Sequence, residues 1–357
     1  MKNKDVPIII PSYEPDELLL DLCDRLTEAD LTNVIVVDDG SGSSYQDIFE
    51  KIKAEYGFTV LIHKVNQGKG RALKTAFSHI LEHQKEAIGC VTADSDGQHS
   101  PQDIVQCIEM LRKQPQALIL GCRDFSGEDV PSKSRFGNEL TRKIFTYLCG
   151  IKVSDTQTGL RGIPTEFMRH LLDVKGERFE FETRMLIECL NRVEIVEVPI
   201  QTIYDSKDDH KTHFNPILDS VRIYRIFGEI FLKYILSSLS SCVVDLVLFS
   251  IFCGVFKISM PHTYILWATV IARVISATYN CLVNYFLVFK SRQQNKSIRR
   301  SMVRYFCLAA IQMLASALFV TMISGLFLGA VSDTLIKAIV DVILFFVSYY
   351  LQRKFVF

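Results

Sequence analysis

Several features that would indicate other classes of protein are missing from this sequence. Its ten cysteines are scattered, and no two are spaced as Cys-x-x-Cys, which argues against a zinc site or a disulfide framework. The formal net charge is +0, so no basic excess points to nucleic acid. We expect free, mostly buried thiols and no nucleic-acid partner.

Two further absences concern the N-terminal half. Only three consecutive isoleucines precede Pro11, too few for the apolar core of a secretory signal, so this half is expected to stay in the cytosol. The Gly-x-Gly of NQGKGRA (66–72) lacks both the Walker lysine-threonine ending and the spacing of a dinucleotide fingerprint. We expect it to begin a helix and to let the backbone approach a ligand.

Apolar residues concentrate toward the C-terminal end, where four runs approach or exceed the roughly 20 residues that cross a bilayer core. These runs are 231–256, 263–289, 305–330 and 334–352. Apolar residues at helical spacing before them indicate a helix lying in the membrane interface. The predicted divisions are a cytosolic domain over 1–215, an interfacial helix or linker over 216–230, and a membrane domain over 231–357.

The basic residues predict an orientation in the membrane. The segment KSRQQNKSIRR, between the second and third runs, carries five basic residues and no acid, and Arg353 and Lys354 follow the fourth run. By the positive-inside rule both regions are cytoplasmic. We expect a multi-pass protein of the cell membrane with its N-terminal domain and both termini in the cytoplasm.

Short apolar runs rich in branched residues indicate strands in the N-terminal half. They are VPIII (6–10), NVIVV (33–37), FTVLI (58–62), AIGCVTA (87–93) and ALILG (117–121). Helical periodicity between them is the pattern of parallel strands covered on both faces. Ligands bind beyond the carboxyl ends of such strands. The polar loops PSYEP, DDGSGS and DSDGQH are therefore predicted to meet in one crevice of an α/β domain.

The loop DSDGQH places oxygen-bearing side chains at alternate positions. In an extended chain Asp94, Asp96 and Gln98 would face one side, as a loop that holds a divalent cation does. The alternative is an acidic turn before a helix, with Ser100 as N-cap and Pro101 at the first helical position. The helix start is expected in either case, and the stretch alone leaves the metal site open.

Six motifs carry a family resemblance over about residues 5 to 215. PSYEP, VVDDGSG, NQGKGRAL, DSDGQH, GCRD and DTQTGLRG occur in this order. The sequence thereby resembles inverting family 2 glycosyltransferases, most closely the polyprenyl-phosphate branch typified by dolichol-phosphate mannose synthase. The resemblance implies a GT-A type nucleotide-sugar-binding domain with a mostly parallel sheet. Pro15 departs from the family, which often has a nucleotide-contacting glutamate there.

The resemblance also implies a donor site. A divalent cation, Mg²⁺ or Mn²⁺, would be held by Asp96 and Gln98 with Asp94 nearby. The residues implied to bind the donor are Pro11, Tyr13, Asp39, Lys69, Asp94, Lys211 and His213. A lone histidine such as His213 is otherwise more often a surface residue than a ligand.

On the acceptor side, Arg123 of GCRD and Arg135 and Asn138 of SKSRFGNELTR match positions that hold the acceptor phosphate in the resembled family. A planar guanidinium suits that task, and the alternative for each arginine is a solvated surface position. The predicted catalytic residues are Asp96, Arg123, Arg135 and Glu182.

Glu182 belongs to FEFE (179–182), where we expect an extended run with Glu180 and Glu182 on one side. A structural ion pair is the alternative role for each. In DTQTGLRG (155–162), the residues Asp155, Gly159 and Arg161 match a family segment that closes over donor and acceptor.

The membrane half contains a repeat. NCLVNYFLVF (280–289) aligns without gaps to SYYLQRKFVF (348–357), an offset of 68 residues, and LKYIL (232–236) aligns to VRYFC (303–307), an offset of 71. Two copies of a helical hairpin with the same orientation are expected. This half resembles the GtrA-like membrane family, whose members are associated with lipid-linked sugars.

Asp245, Arg273 and Asp341 are ionisable residues inside the predicted spans. Asp245 and Arg273 lie at similar depth on antiparallel neighbours, and Arg273 corresponds to Asp341 under the offset of 68. Because charges inside a membrane are costly and usually paired, we predict that Arg273 pairs with Asp245, Asp341 or both and faces protein. A salt bridge that fixes packing is favoured over a path for a lipid head group.

The leading functional hypothesis is transfer of a hexose from a nucleotide-diphosphosugar to a polyprenyl phosphate at the cytoplasmic membrane face. A processive polysaccharide synthase is disfavoured, since the single tryptophan, Trp267, lies in a span and not in Gln-x-x-Arg-Trp. A lipid-linked-sugar translocase with a regulatory soluble domain predicts an eroded metal loop, and DSDGQH is intact. Membrane lipid and a homo-oligomer are further expected partners, and no residue selects the sugar or the base.

Overall fold

The computed structural model describes residues 3–124, 132–190, 192–201, 218–289, 296–327 and 333–357. The chain divides into two compact units, Met1–Ile226 and Phe227–Phe357. The first is an α/β unit and the second is helical, and they are described separately below.

The first unit is built on a seven-stranded sheet with the order β3-β2-β1-β4-β6-β5-β7. Its strands are β1 (Ile8–Ser12), β2 (Val34–Asp38), β3 (Thr59–Ile62), β4 (Gly89–Thr92), β5 (Leu118–Arg123), β6 (Arg161–Pro164) and β7 (Ile195–Ile200). Strand β6 runs antiparallel to both β4 and β5, and the other neighbours are parallel. The predicted mostly parallel sheet is confirmed, as are all five predicted strands.

Helices cover the sheet and complete its core. They are α1 (Glu17–Glu28), α2 (Gln46–Glu55), α3 (Lys69–His83), α4 (Pro101–Lys113), α5 (Ser132–Ile144), α6 (Thr165–Leu172) and α7 (Glu180–Glu188). The start of α4 confirms the predicted cap, because the side chain of Ser100 accepts a hydrogen bond from the backbone N–H of Asp103 and Pro101 follows it. Strands β1, β2 and β4 are fully buried, as their branched residues require.

The second unit contains four helices long and apolar enough to cross a membrane. They are α8 (Leu218–Ser259), α9 (Tyr264–Val283), α10 (Ile298–Phe327) and α11 (Asp333–Leu351). Residues 218–230 of the predicted interfacial helix or linker form the first part of α8 and are continuous with the first candidate span, and their place at the membrane interface remains a prediction. No proline occurs between Pro216 and Pro261, so nothing in the sequence breaks this helix. At 42 residues, α8 is roughly 63 Å long and exceeds a hydrocarbon core of about 30 Å.

The structure supports the predicted duplication of the second unit. A π-helical segment follows α9 at Asn284–Val288, and another follows α11 at Gln352–Val356. The first residues of the two segments differ by 68 positions, and so do their last residues; this is the offset that aligns the two sequences. Such irregular helix ends are uncommon. Their recurrence at matching positions indicates that the two hairpins share a common backbone geometry.

A buried hydrogen-bonded chain joins the two hairpins where these segments begin. The side-chain amide of Asn284 donates to the amide oxygen of Gln352 (3.0 Å) and to that of Asn280 (2.7 Å). Ser237 of α8 donates to Asn284 (2.8 Å), and Gln352 donates to the hydroxyl of Ser348 (2.9 Å). All of these side chains are buried. Because a lipid-facing alternative offers no water to such groups, this chain fixes one hairpin against the other.

The predicted pairing of Arg273 is confirmed with Asp245 and not with Asp341. The guanidinium of Arg273 lies 3.2 Å from the carboxylate of Asp245, whereas Asp341 pairs with Lys337 one helical turn away at 2.9 Å. The expectation that Arg273 faces protein is wrong. Its side chain is 71 % exposed, because it reaches Asp245 along the outside of the hairpin.

We predict that Asn284→Leu destabilises the second unit. The change removes the Asn284 donor from the amide oxygen of Gln352 and the Asn284 acceptor from the hydroxyl of Ser237, at about 1–3 kcal/mol for each buried group. The full chain in detergent should unfold at a lower temperature, and Cys281, buried nearby, should react faster with a thiol reagent. The matched control is Thr269→Val, since Thr269 is exposed and donates only to its own helix. Equal behaviour of the two variants would show that the buried chain contributes no stability.

Candidate active site

The loops that follow β1 and β2 are tied together at the carboxyl edge of the sheet. The backbone N–H of Glu14 donates to the hydroxyl of Ser41 (2.9 Å), and the N–H of Ser41 donates to Asp38 (2.8 Å). Pro11 is buried in β1, and Tyr13 follows it in the first loop. The neighbouring carboxylate of Glu14 raises the pKa of the Tyr13 phenol. The structure thus brings the two predicted nucleotide loops to one edge.

Asp39 has a structural task that sequence reasoning missed. It is 3 % exposed, and its carboxylate accepts hydrogen bonds from the backbone N–H groups of Gln67 (3.0 Å) and Gly68 (2.6 Å). The same carboxylate lies 2.7 Å from the ring of His63. Asp39 therefore holds the NQGKGRA loop in place. Its predicted contact with the donor remains a prediction.

The two glycines of NQGKGRA allow a close approach within the protein. Gly68 has a φ of +102°, and a Cβ there would lie 2.4 Å from the carbonyl oxygen of Glu177. A Cβ on Gly70 would lie 2.6 Å from the Cβ of Phe181. The expected helix start is confirmed, since α3 begins at Lys69. The close approach that these glycines permit is to residues 177–181, the segment that leads into α7, and it brings Lys69 next to that helix.

Lys69 lies at the centre of the site. Its ammonium is 2.6 Å from the carboxylate of Asp94 and 3.0 Å from that of Glu182. Burial alone would favour the neutral amine, but the two carboxylates outweigh it and raise the pKa of Lys69 above its ordinary value. One half-buried cation therefore joins the end of β4 to the first turns of α3 and α7.

The two aspartates of DSDGQH have opposite electrostatic environments. Burial opposes ionisation of Asp94, but the ammonium of Lys69 outweighs it and holds the pKa of Asp94 well below its usual range. Loss of part of its water shell, together with the negative charge of Asp94, raises the pKa of Asp96. The backbone N–H of Gln98 donates to Asp96 (3.1 Å). Asp96 thus carries a negative charge that the surrounding protein disfavours.

This donor set fits a divalent cation that takes further ligands from elsewhere. Among the described residues, no group of three or more histidine, cysteine, aspartate and glutamate side chains is arranged to hold a metal alone. Asp94, Asp96 and Gln98 offer oxygen atoms, which Mg²⁺ and Mn²⁺ prefer, and sites of this kind are commonly completed by phosphate oxygens. A cation would also relieve the repulsion that raises the pKa of Asp96.

Glu182 is set in a second buried ion pair. Arg161, 1 % exposed, donates to the carbonyl oxygens of Thr158 (2.9 Å) and Glu182 (2.8 Å) and lies 4.0 Å from the Glu182 carboxylate. The other carboxylate oxygen of Glu182 contacts Lys69. The predicted extended run at FEFE is wrong, because Glu180 and Glu182 lie in the first turn of α7. The ion pair expected as the alternative role of Glu182 is present, and its implied position near the donor sugar remains a prediction.

The predicted acceptor residues have three different outcomes. Arg123 at the end of β5 is held by the fully buried carboxylate of Asp155, with N–O distances of 2.7 and 3.2 Å. The side-chain amide of the buried Asn138 donates to the carbonyl oxygen of Ser154, and its amide oxygen accepts from the N–H of Thr156, which fixes α5 against that loop; its role at the acceptor phosphate remains a prediction. Arg135 lies on α5, and its side chain is outside the described residues. The donor predictions Lys211 and His213 also fall outside them.

The fold and this site define a nucleotide-sugar-dependent glycosyltransferase attached to a membrane-spanning helical unit. The family profile described as Glycosyl transferase family 2 matches residues 8–172. A second profile, described as GtrA/DPMS, transmembrane domain, matches residues 231–357. The chain belongs to the family 2 glycosyltransferases and carries a GtrA/DPMS transmembrane domain at its C-terminal end.

Curated relatives of this chain come from archaea. An uncharacterised protein of Methanocaldococcus jannaschii is 30 % identical over 209 residues, 57 % of this chain and 83 % of the relative. The UDP-N-acetylglucosamine–dolichyl-phosphate N-acetylglucosaminyltransferase of Methanococcus voltae is 28 % identical over 57 % of this chain and 88 % of that protein. Glycosyltransferase AglJ of Haloferax volcanii is 26 % identical over 61 % and 69 % of the two chains.

Solved structures show a weaker similarity. Glucosyl-3-phosphoglycerate synthase from Mycobacterium tuberculosis, in complex with Mn²⁺, uridine diphosphate and glucosyl-3-phosphoglycerate, is 17 % identical with a TM-score of 0.42, over 61 % of this chain and 74 % of that chain. Mannosyl-3-phosphoglycerate synthase from Rubrobacter xylanophilus is 15 % identical with a TM-score of 0.43, over 61 % and 69 %. Similarities at this level carry no information on substrates or residue roles.

We predict that Gly159→Ala damages the site without unfolding the protein. A Cβ at residue 159 would lie 2.1 Å from the carboxylate of Asp94, so this carboxylate must leave its place beside Lys69. Losing one hydrogen bond to a charged group costs about 1.5–3 kcal/mol, so glycosyl transfer should fall by at least about tenfold. The measurement is the rate of transfer from the preferred nucleotide-sugar, beside the unfolding temperature.

The matched control for this change is Gly228→Ala. Gly228 lies in α8 and has no positive φ, and a Cβ there would meet no atom within 4 Å. This variant should leave the transfer rate unchanged and should not lower the unfolding temperature, because alanine is favoured over glycine inside a helix. A Gly159→Ala protein with the wild-type transfer rate would mean that Asp94 does not need its observed position.

Proposed function

We propose that the chain transfers a hexose from a nucleotide-diphosphosugar to a polyprenyl phosphate at the cytoplasmic face of the cell membrane. The observation that carries the proposal is the half-buried cluster in which Lys69 joins Glu182 to Asp94, which lies two residues before the exposed Asp96. The membrane-spanning unit and the dolichyl-phosphate substrate in the name of the Methanococcus voltae relative support a lipid phosphate as acceptor. The glycan precursor formed would be a polyprenyl-phosphate-linked sugar.

The donor would bind at the carboxyl edge of the sheet. Departure of the sugar builds negative charge on the nucleotide diphosphate, and a bound Mg²⁺ or Mn²⁺ stabilises such charge without proton transfer. Asp96 and Gln98 would hold this cation, with Asp94 positioned by Lys69. Pro11, Tyr13 and Asp39 would contact the nucleotide.

The acceptor would need positioning more than activation. A phosphate monoester is already anionic near neutral pH, so it can attack without a general base. Arg123, oriented by Asp155, would supply a planar guanidinium, and Arg135 on α5 would supply a second. The role of Glu182 would be to accept a hydrogen bond from the sugar while it holds Lys69. Attack from the side opposite the diphosphate gives the inverted product.

We predict that Asp96→Asn abolishes transfer and leaves the protein folded in the membrane. The change removes one negative charge and almost no volume, so activity should fall by at least about a hundredfold, as for losing a group that stabilises transition-state charge. Membranes are incubated with labelled UDP-glucose, UDP-galactose, UDP-N-acetylglucosamine or GDP-mannose and a polyprenyl phosphate, and label in the lipid extract is counted.

The matched control is Asp47→Asn, because Asp47 is an exposed aspartate on α2 and is none of the predicted site residues. It should transfer at the wild-type rate. Labelled lipid from none of the four donors would refute the proposed reaction, and equal labelling by Asp96→Asn and wild type, or labelling unaffected by a chelator, would refute the metal assignment.

A further inference from the structure

Positively charged side chains gather at one end of the second hairpin, which is formed by α10 and α11. The start of α10 meets the end of α11 there, because the hydroxyl of Ser301 donates to the carbonyl oxygen of Val356 (2.9 Å). The guanidinium of Arg304 likewise donates to the carbonyl oxygen of Phe355 (3.1 Å). Six cations form this basic cluster: Lys296, Arg299, Arg300, Arg304, Arg353 and Lys354.

The acids of the second hairpin lie away from the basic cluster. Residues 290–357 contain two acids, Asp333 and Asp341, which lie at the start and in the middle of α11. The N-terminus of a helix carries partial positive charge and favours anions, yet the first turn of α10 has no acid. Arg300 and Arg304, one turn apart, also repel each other. The sequence of this hairpin therefore offers the start of α10 no anion that would stabilise it.

Repulsion within the basic cluster also acts on Lys296. Burial lowers the pKa of its ammonium, and the positive charges of Arg304 and Arg353 lower this pKa further. The ammonium donates to the carbonyl oxygen of Phe357, so Lys296 has a polar partner within the chain. Arg300 and Arg304 are exposed. Their guanidinium groups are therefore the part of the cluster that a ligand can reach.

Comparison of the two hairpins shows that the basic cluster is specific to the second. The repeat offsets relate Arg300 to Glu229 (300 − 229 = 71) and Lys354 to Phe286 (354 − 286 = 68). Two cations and one acid give the six corresponding positions of the first hairpin a net charge of +1, against +6 in the second; these positions are Arg225, Gly228, Glu229, Lys233, Tyr285 and Phe286. The positive-inside rule counts charges over whole loops and does not require them to gather on one hairpin.

The level of the basic cluster in the membrane indicates the kind of partner. The candidate spans of α10 and α11 begin at Ile298 and end at Val356. The cations therefore lie within about two helical turns of the span ends, close to the level of lipid head groups. Exposed apolar side chains adjoin them, with Val303 59 % exposed and Phe355 54 % exposed. Apolar surface beside a group of cations fits a lipid whose head group is anionic.

We propose that the basic cluster binds the phosphate head group of an anionic phospholipid of the surrounding bilayer. Guanidinium groups bind phosphate oxygens in a bidentate manner, and the start of α10 offers three of them: Arg299, Arg300 and Arg304. A zwitterionic lipid would bring a positive charge of its own to the cluster, so a lipid with net negative charge fits better. A free phosphate ion has no chains to contact Val303 and Phe355. The proposal does not depend on the transfer reaction proposed above.

The test compares two lipids with the same acyl chains, phosphatidylglycerol and phosphatidylcholine. The full chain in a neutral detergent is titrated with each lipid, and the bound lipid is counted by native mass spectrometry. Phosphatidylglycerol should bind at least about tenfold more tightly, since each basic residue near an anionic surface adds about fivefold. Inorganic phosphate at the same concentration should not displace it.

Two variants and one control locate the bound lipid. Arg300→Glu gives the second hairpin the acid that the first has at this position, and Lys354→Gln removes a cation from the end of α11. Each should weaken binding of phosphatidylglycerol by at least about threefold and leave that of phosphatidylcholine unchanged. The matched control is Lys233→Gln, because Lys233 is exposed and corresponds to Arg304 in the first hairpin (304 − 233 = 71). It should bind phosphatidylglycerol as the wild type does.

Four results would overturn the proposal. Equal binding of the two lipids would mean that the cations only orient the protein, and an equal loss in Lys233→Gln would mean that the lipid does not choose the second hairpin. Displacement by inorganic phosphate would indicate a site for free anions. A short-chain polyprenyl phosphate that displaces more than half of an equal amount of phosphatidylglycerol would assign the cluster to the acceptor. Unfolding temperatures identify a variant that has lost its fold, and the other variant then decides.

Discussion

The buried ammonium of Lys69 is the interaction on which the α/β unit's site depends. Asp94, Glu182 and Arg161 come from three separate segments of the chain, and the lysine supplies the positive charge between the two carboxylates. Without it, the half-buried carboxylate of Asp94 and the buried carboxylate of Glu182 would lie near each other with no cation between them. The two glycines on either side of Lys69 also help to form this cluster, because they let α3 approach the start of α7.

In the helical unit, uncharged buried side chains hold the two hairpins together. Asn284 and Gln352 occupy equivalent positions in the two hairpins and hydrogen-bond to each other. Each copy of the repeat thus supplies a hydrogen-bond partner for the buried amide of the other copy. Where the copies differ, their chemistry differs too. The first hairpin joins its helices with Arg273 and Asp245, and the second keeps Lys337 and Asp341 on one helix. The two copies thus share a backbone geometry and differ in the ion pairs that they carry.

Sequence patterns predicted the strands and loops well because burial on both faces leaves a local signature of branched residues. Strand β6 (RGIP) has a single branched residue, and the edge strand β7 (IVEVPI) is interrupted by Glu197 and Pro199, so neither forms the continuous apolar run of the other strands, and both are placed by pairing with β5. FEFE alternates over only four residues, too few to distinguish a strand from α7, whose buried Phe181 and Met185 are spaced for a helix. The inward roles of Asp39 and Asn138 depend on partners distant in sequence, which a motif does not show.

The central claim is that the acidic loop at the end of β4 holds the diphosphate of a nucleotide-sugar through a divalent cation. Calorimetric titration of the purified full chain with UDP and with GDP, each with Mn²⁺ or with a chelator, tests it most directly. The account predicts that one nucleotide binds the wild type at least about tenfold more tightly with Mn²⁺, a difference of about 1.4 kcal/mol, and that Asp96→Asn loses this gain. Binding of equal strength with Mn²⁺ and with chelator, or the same Mn²⁺ gain in Asp96→Asn, would contradict it.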